Sequence, residues 1–296
     1  MISGKRFEPP GYTVAVPAAL SMAPRTPSTI CRSLLTANRN MAIICLIIFM
    51  TNKLSVCVFF RNFAIANHTA IITTHMKVIV SDEIENVCPA FIGAHVEIYV
   101  KNTIYSDGLW NEIHRWGEYY RQKLDTESLK NIPAIAATRL VYKACGKDPS
   151  RYRPAAEALI RRMLQGKDLY QINTLVDLVN LASIKYGYSI GGFDADKFHG
   201  TTLTLGVGKA GEPYEGIGRG NINIEGLPVY RDLSGGVGTP TSDNERTKID
   251  METTHLVVLV NGYDGNEENV RANAEYILQL AGTHCQGHDG SYYIYR

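Results

Sequence analysis

"INTLVDLVNLASIKYGYSIGGFDADKFHG", residues 172–200, reads as a helix, a break and a strand. Leu175, Leu178, Val179 and Ala182 recur at spacings of three and four, the buried stripe of a helix, and Gly187 stands where the helix stops. Asp177 and Asn180 interrupt that apolar run, three residues apart and so on one side of the helix. Buried polar groups need partners, so the pair is expected to fix the loop that follows, with Asn180 the better placed of the two for touching a ligand. Gly191-Gly192 predicts backbone that another group approaches closely.

Upstream lie two more helical pieces. "AIAATRLVYKACG" stops at Gly146, and "RPAAEALIRRMLQG" stops at Gly166 and opens with Pro154 at a first-turn position. Earlier, "KVIVS" and "AHVEIYVKN" read as strands, the second alternating inside and outside as a half-buried strand should, with a short acidic helical turn between them. "SDGLWNEIHRWGEYYRQKL" is helical, with Ser106 or Asp107 placed to cap it and its Trp110 and tyrosines assigned to packing. Downstream, "TTLTLGVG", "NINIEG", "PVYRD" and "HLVVLVNG" are short strands, and "NEENVRANAEYILQLAG" returns to helix. Helices followed by a block of strands predict an α+β fold, helices packed on a mostly antiparallel sheet or partial barrel, in one domain over 76–296.

Residues 1–75 are a different kind of sequence. They carry seven bases against Glu8, a balance of +6 in a chain of net charge +1, which leaves −5 for the rest. They show no helix or strand period, and Met76 opens the first strand pattern abruptly, so they are expected to be a poorly ordered extension from an upstream start. "MAIICLIIFM" has the length of a secretory h-region, but no small-residue cleavage site follows; a spanning helix needs about 20 apolar residues, and no membrane partner is expected. Beyond them Cys88, Cys145 and Cys285 are far apart and odd in number, which points to reduced thiols in a cytoplasmic protein.

Four stretches offer chemistry. "GVGKAG", residues 206–211, matches the dinucleotide glycine pattern, but no helix follows it, so a hairpin is expected and no cofactor. "THCQGHD" offers His284, Cys285 and His288 without a second ligand pair, so it is read as a frayed polar end and not a metal site. Arg139, Lys143, Arg151, Arg153, Arg161 and Arg162 lie in a basic run on successive helices, with Tyr142 and Tyr152 available for stacking; the run is either an RNA-tracking surface or a solvated face. "GGVGTPTSDNERTKIDMETTHLVVLV" places Asp243 and Glu245 just before a core strand, at a pocket rim or in a wet hairpin.

The stretch from "EALIRRMLQG" through "FDADKFHG", onward through "LTLGVGKAGEPYEGIG" and "PVYRD", resembles the B3/B4 domain of the bacterial phenylalanyl-tRNA synthetase beta subunit over much of 133–262. No synthetase catalytic, anticodon-binding or OB-fold module accompanies it, and the flanks are similar to those of stand-alone members. In the synthetase that domain hydrolyses the ester of tyrosine wrongly attached to phenylalanine tRNA. The resemblance implies tRNA as partner, not DNA, and an amino-acid moiety in a pocket. Asp177 and Asn180 fall on the family's helix motif, Glu245 on a glutamate that recognises the tyrosine hydroxyl, and the family's histidine falls on Gly191. The pocket candidates are therefore Asn180, Gly191, Gly192 and Glu245. A second site that binds the hydroxyl makes physical sense, because an apolar pocket rejects an added hydroxyl weakly. Three functions stay open: an RNA-binding module, a trans-acting aminoacyl-tRNA deacylase, and a pocket for a free amino acid or metabolite.

Overall fold

The computed structural model describes residues 76–296; the N-terminal extension and the apolar run expected within 1–75 lie outside the described residues. The chain runs β1 (Lys77–Val80), α1 (Asp82–Val87), β2 (Ile92–Tyr99), α2 (Asp107–Lys123), α3 (Pro133–Ala144), α4 (Ala155–Leu164), α5 (Thr174–Tyr186), β3 (Ile190–Asp194) and β4 (Thr202–Val207). It continues through β5 (Glu215–Gly216), β6 (Gly220–Asn221), β7 (Pro228–Asp232), β8 (Gly235–Gly238), β9 (His255–Gly262), α6 (Glu267–His284) and β10 (His288–Tyr295).

The α+β class holds, but the strands split. One four-stranded sheet has the order β10-β2-β9-β3 and is antiparallel throughout. The other has the order β1-β4-β7-β8, with β1 parallel to β4, and neither closes into a barrel. Alternation explains how they stack. Ala94, Val96 and Ile98 of β2 and Leu256, Val258 and Val260 of β9 share a core with α2, α4, α5 and α6. The intervening Val257 and Leu259 share a second core with Val80, Leu205, Tyr230 and Val237 of the other sheet. The layers are thus helices, sheet, sheet. β2 is buried along most of its length, not half-buried, because it is central and covered on both faces.

Other expectations change. Of "NINIEG" only Asn221 is in a strand, the two-residue β6, its remainder being loop. The tail read as frayed is α6 running into β10, which pairs along β2; Cys285 is 1% exposed and the His284 ring bonds Ser106 at 3.0 Å. Ser106 therefore heads α2 without a side-chain cap, and Pro154 precedes α4 as its cap residue instead of opening its first turn. The three described cysteines are free thiols, and no described helix is long and apolar enough to cross a membrane.

Candidate functional site

The site grows from α5. Its stripe forms as the spacing requires: Leu175, Leu178 and Ala182 are fully buried and Val179 nearly so, each such aliphatic side chain contributing about 1.5–3 kcal/mol. Asn173 caps the helix, accepting from the Val176 amide at 3.0 Å, and Gly187 ends it in the left-handed conformation at φ 76°. Asp177 is buried and accepts from Trp110 Nε1 at 2.7 Å and from the Ile172 amide at 3.4 Å. It holds α2 and the segment before the helix, not the loop after it. Burial raises its proton affinity, with the Trp110 and Ile172 bonds opposing. Asn180, one turn on, is half-buried.

β3 follows at once, with Gly191 opposite Leu259 and Gly192 opposite Val258 of β9. Neither glycine takes a positive φ, so their identity answers a need for space. A Cβ on Gly192 would stand 3.0 Å from Val179 Cγ2 and 3.1 Å from Ile249 Cδ1, so the bare backbone lets α5 lie close on the strand. A Cβ on Gly191 would meet the Phe193 ring at 2.6 Å and Asp243 Oδ1 at 3.3 Å. The fully buried Phe193 ring also lies where a Cβ on Gly238 of β8 would be, 2.5 Å from Cζ, and that Cβ would be 3.0 Å from Asp243 Oδ1. Two glycines from two sheets thus flank one ring and one carboxyl.

Asp243 is delivered by a constrained loop. Thr239 Oγ1 accepts from the Thr241 and Ser242 amides, Tyr142 Oη and Thr241 Oγ1 are 2.9 Å apart, and Tyr214 Oη donates to the Ser242 carbonyl at 2.7 Å. The Asp243 carboxyl accepts from the Gly192 amide at 3.2 Å, and among the described residues no cation pairs with it. The residue keeps some solvent contact, and its carboxyl sits against the bare backbone of Gly191, Gly192 and Gly238, beside the Phe193 ring. Burial pushes that carboxyl up to about 8, with only the Gly192 amide pulling the other way. Near neutrality it populates both protonation states, the condition for hydrogen-bond donation, acceptance of an ammonium group, or proton transfer.

The structure brings Gly191 and Gly192 together with Asp243. Glu245, on a short 3-10 turn two residues on, pairs instead with Lys248. Both carboxylates were conspicuous in the sequence; which one turns toward the strand depends on the turn at Thr239 and on β8, whose "GGVG" carries no strand pattern.

The basic run is largely committed to internal contacts. Arg139, Arg153 and Arg161 converge on Glu157, whose side chain is 2% exposed, at 2.8, 3.4 and 3.5 Å. Arg162 donates to the Asp168 carbonyl and lies 4.0 Å over the Tyr170 ring. Lys143 and Arg151 are exposed. Tyr142 is fully buried and Tyr152 lies under Lys147, so Tyr142 does not stack on a ligand as the sequence suggested. "GVGKAG" leads from β4 into loop, its Gly208 carbonyl accepting from the Gly226 amide at 2.9 Å, and borders an open groove of about 640 Å³ beside Cys145 and Lys147. Among the described residues no group of three or more His, Cys, Asp or Glu side chains is arranged to hold a metal ion.

Residues 137–278 match the B3/4 domain, a span that contains the stretch 172–200. Among solved structures, an N-terminal fragment of the phenylalanyl-tRNA synthetase beta subunit from Pyrococcus horikoshii is similar at 12% identity and a TM-score of 0.38. The alignment covers 73% of this chain and 50% of that one, so the chain spans about half that fragment's length. No curated protein matches the sequence.

Proposed function

We propose that this chain, which carries a B3/4 domain over residues 137–278, binds the aminoacylated end of tRNA, with Asp243 and the Gly191-Gly192 strand receiving the amino-acid part. The observation that carries the reading is the Asp243 carboxyl set against the bare Gly191-Gly192 strand, bonded by the Gly192 amide and paired with no cation among the described residues, with its proton affinity raised by burial. Protonated, such a group donates to a carbonyl or hydroxyl oxygen; ionised, it accepts from an ammonium group. An amino-acid ester brings both a carbonyl and an ammonium. The tRNA part of the reading rests on the resemblance of residues 172–200 to the synthetase domain. Surface charge adds support: Lys143 and Arg151 are exposed, and the three arginines around Glu157 leave two positive charges uncancelled.

Binding is favoured over hydrolysis for a specific reason. The position on which the family's histidine falls is Gly191, and the Phe193 ring fills the space a side chain there would enter. The competing deacylase reading has Asp243 itself as a base acting on water at the ester, for which a carboxyl near 8 is well suited.

One experiment decides between them. The full chain and its Asp243→Asn variant are incubated with a panel of aminoacylated and deacylated tRNAs, and both retention on a filter and ester loss are followed. The reading predicts stronger retention of aminoacylated tRNA by the wild-type chain, with the ester intact and the preference lost in the variant. Ester loss that depends on Asp243 makes the protein a deacylase. Absence of tRNA retention, with a free amino acid still bound, removes the RNA partner.

A further inference from the structure

The cluster at Glu157 is unbalanced within itself. Glu157 Oε2 takes Arg139 Nη1 at 2.8 Å, a strong charge-assisted bond. Its Oε1 is shared by Arg153 Nε at 3.4 Å and Arg161 Nη2 at 3.5 Å, too long to satisfy either. The Nε atoms of Arg153 and Arg161 are buried without a hydrogen-bond partner. Three guanidiniums from α3, the start of α4 and α4 itself therefore surround one carboxylate, with two positive charges and two donors left over. The three side chains are 18%, 38% and 27% exposed, so the surplus charge borders solvent, although the two Nε atoms themselves are buried.

We propose that Arg139, Arg153 and Arg161 form a seat for a phosphate group. A phosphate matches the surplus in charge; Arg139 also donates to the Pro149 carbonyl at 3.2 Å and Arg161 to the Thr126 carbonyl at 3.3 Å, so the least committed guanidinium fork is that of Arg153, whose geometry suits phosphate oxygens. The segment after Arg153 is tied by hydrogen bonds to the elements that carry the Asp243 site. The Ala155 amide donates to the Pro240 carbonyl at 2.8 Å, in the loop that carries Asp243, and the Ala156 amide donates to Ser189 Oγ at 3.4 Å, at the entry to β3. Both residues directly follow Arg153 and Pro154 at the start of α4. That the phosphate belongs to the end of a tRNA rests on the function proposed above; that the seat takes phosphate does not.

The test uses the full chain and two probes, inorganic phosphate by isothermal titration and deacylated tRNA across a salt series. Arg153→Gln removes the most exposed guanidinium and disturbs packing least. Glu157→Gln removes the internal competitor, and its folding is checked by circular dichroism. The wild-type chain should bind phosphate saturably, about tenfold more tightly than Arg153→Gln, with Glu157→Gln tighter still. Phosphate should compete with tRNA, and the salt slope for tRNA should fall by about 1 in Arg153→Gln. Phosphate binding that is unsaturable, or equal in wild type and Arg153→Gln, overturns the seat. The two proposals fail separately: saturable phosphate binding without tRNA binding removes only the tRNA reading, and tRNA binding with an unchanged slope in Arg153→Gln removes only the seat.

Discussion

Asp243 departs from ordinary carboxylate behaviour because folding packs it against β3 and β8 and supplies only one backbone amide in return for lost hydration. Its folded-state pKa lies above the unfolded one, so the folded chain holds more protons between about 4 and 8. Stability must therefore fall as pH rises through that window, by at most about 1.4 kcal/mol per pH unit, or about 2–4 °C per kcal/mol in a chain of this size. Partial exposure of the residue reduces that ceiling. Asp243→Asn lacks this term. Its melting temperature should gain on the wild type from pH 5 to about pH 8 and level off above that; a constant difference from pH 5 to pH 8 means the carboxyl ionises normally. Gly191 gives a second test at the same scale. Gly191→Ala drives a methyl into a ring already pressed against Gly238, and should cost about 1–3 kcal/mol by urea unfolding. Gly192→Ala meets only the tips of Val179 and Ile249 and should cost less. Adding Phe193→Leu should recover part of the Gly191→Ala loss, a non-additivity expected of touching groups. At this scale the sequence marks residues but not their partners. Asp177, Asn180, the glycine pair and the 239–250 loop were all conspicuous, but the partner of Asp177 is Trp110, 67 residues away, and no local pattern encodes that distance.

Elements with a strong period were legible, and those held by distant partners were not. α5 declares itself through its stripe, its Asn173 cap and Gly187. β8 is almost pure glycine; its extended form comes from pairing with β7, and the Tyr214 ring takes the space beside Gly236. β10 begins with polar residues, and Gln286 and Asp289 both sit at φ 51°, so it reads as a tail until β2 is present to pair with it. Its contribution is nonetheless central. The Tyr295 ring lies over Gly93 of β2, and its hydroxyl is 2.6 Å from that of Tyr230, whose own proton goes to Asn261 Oδ1 or to Tyr295. Tyr295→Ala removes the ring and breaks a buried polar chain between the sheets, and should destabilise by about 3–5 kcal/mol in urea. A cost under about 1 kcal/mol would mean that β10 is dispensable.

At the scale of the molecule, the order of helices before strands was enough to read α+β, whereas the division into two stacked sheets was not. That division depends on which face of β9 meets which partner, a non-local choice that alternation permits but does not specify. Charge behaves likewise. The −5 carried beyond residue 75 argues against diffuse attraction of that part to polyanions, so the tRNA binding proposed above would draw there on local surplus, at the arginines around Glu157 and at Lys143 and Arg151. Binding to deacylated tRNA should accordingly fall with salt, with a slope far shallower than that of a generally basic protein. In the proposed function, recognition of the amino-acid part falls to Asp243, and it should be linked to that group's proton. An ammonium placed against Asp243 favours the ionised carboxyl, so binding releases the proton that the free protein holds below about 8. The most direct measurement is the ratio of Kd for deacylated over aminoacylated tRNA, taken at constant salt from pH 6 to pH 8 with wild type and Asp243→Asn. The account predicts a ratio above one that rises with pH in the wild type, by up to about tenfold per unit, and stays near one in the variant. A ratio that is the same in both proteins, at every pH, contradicts it.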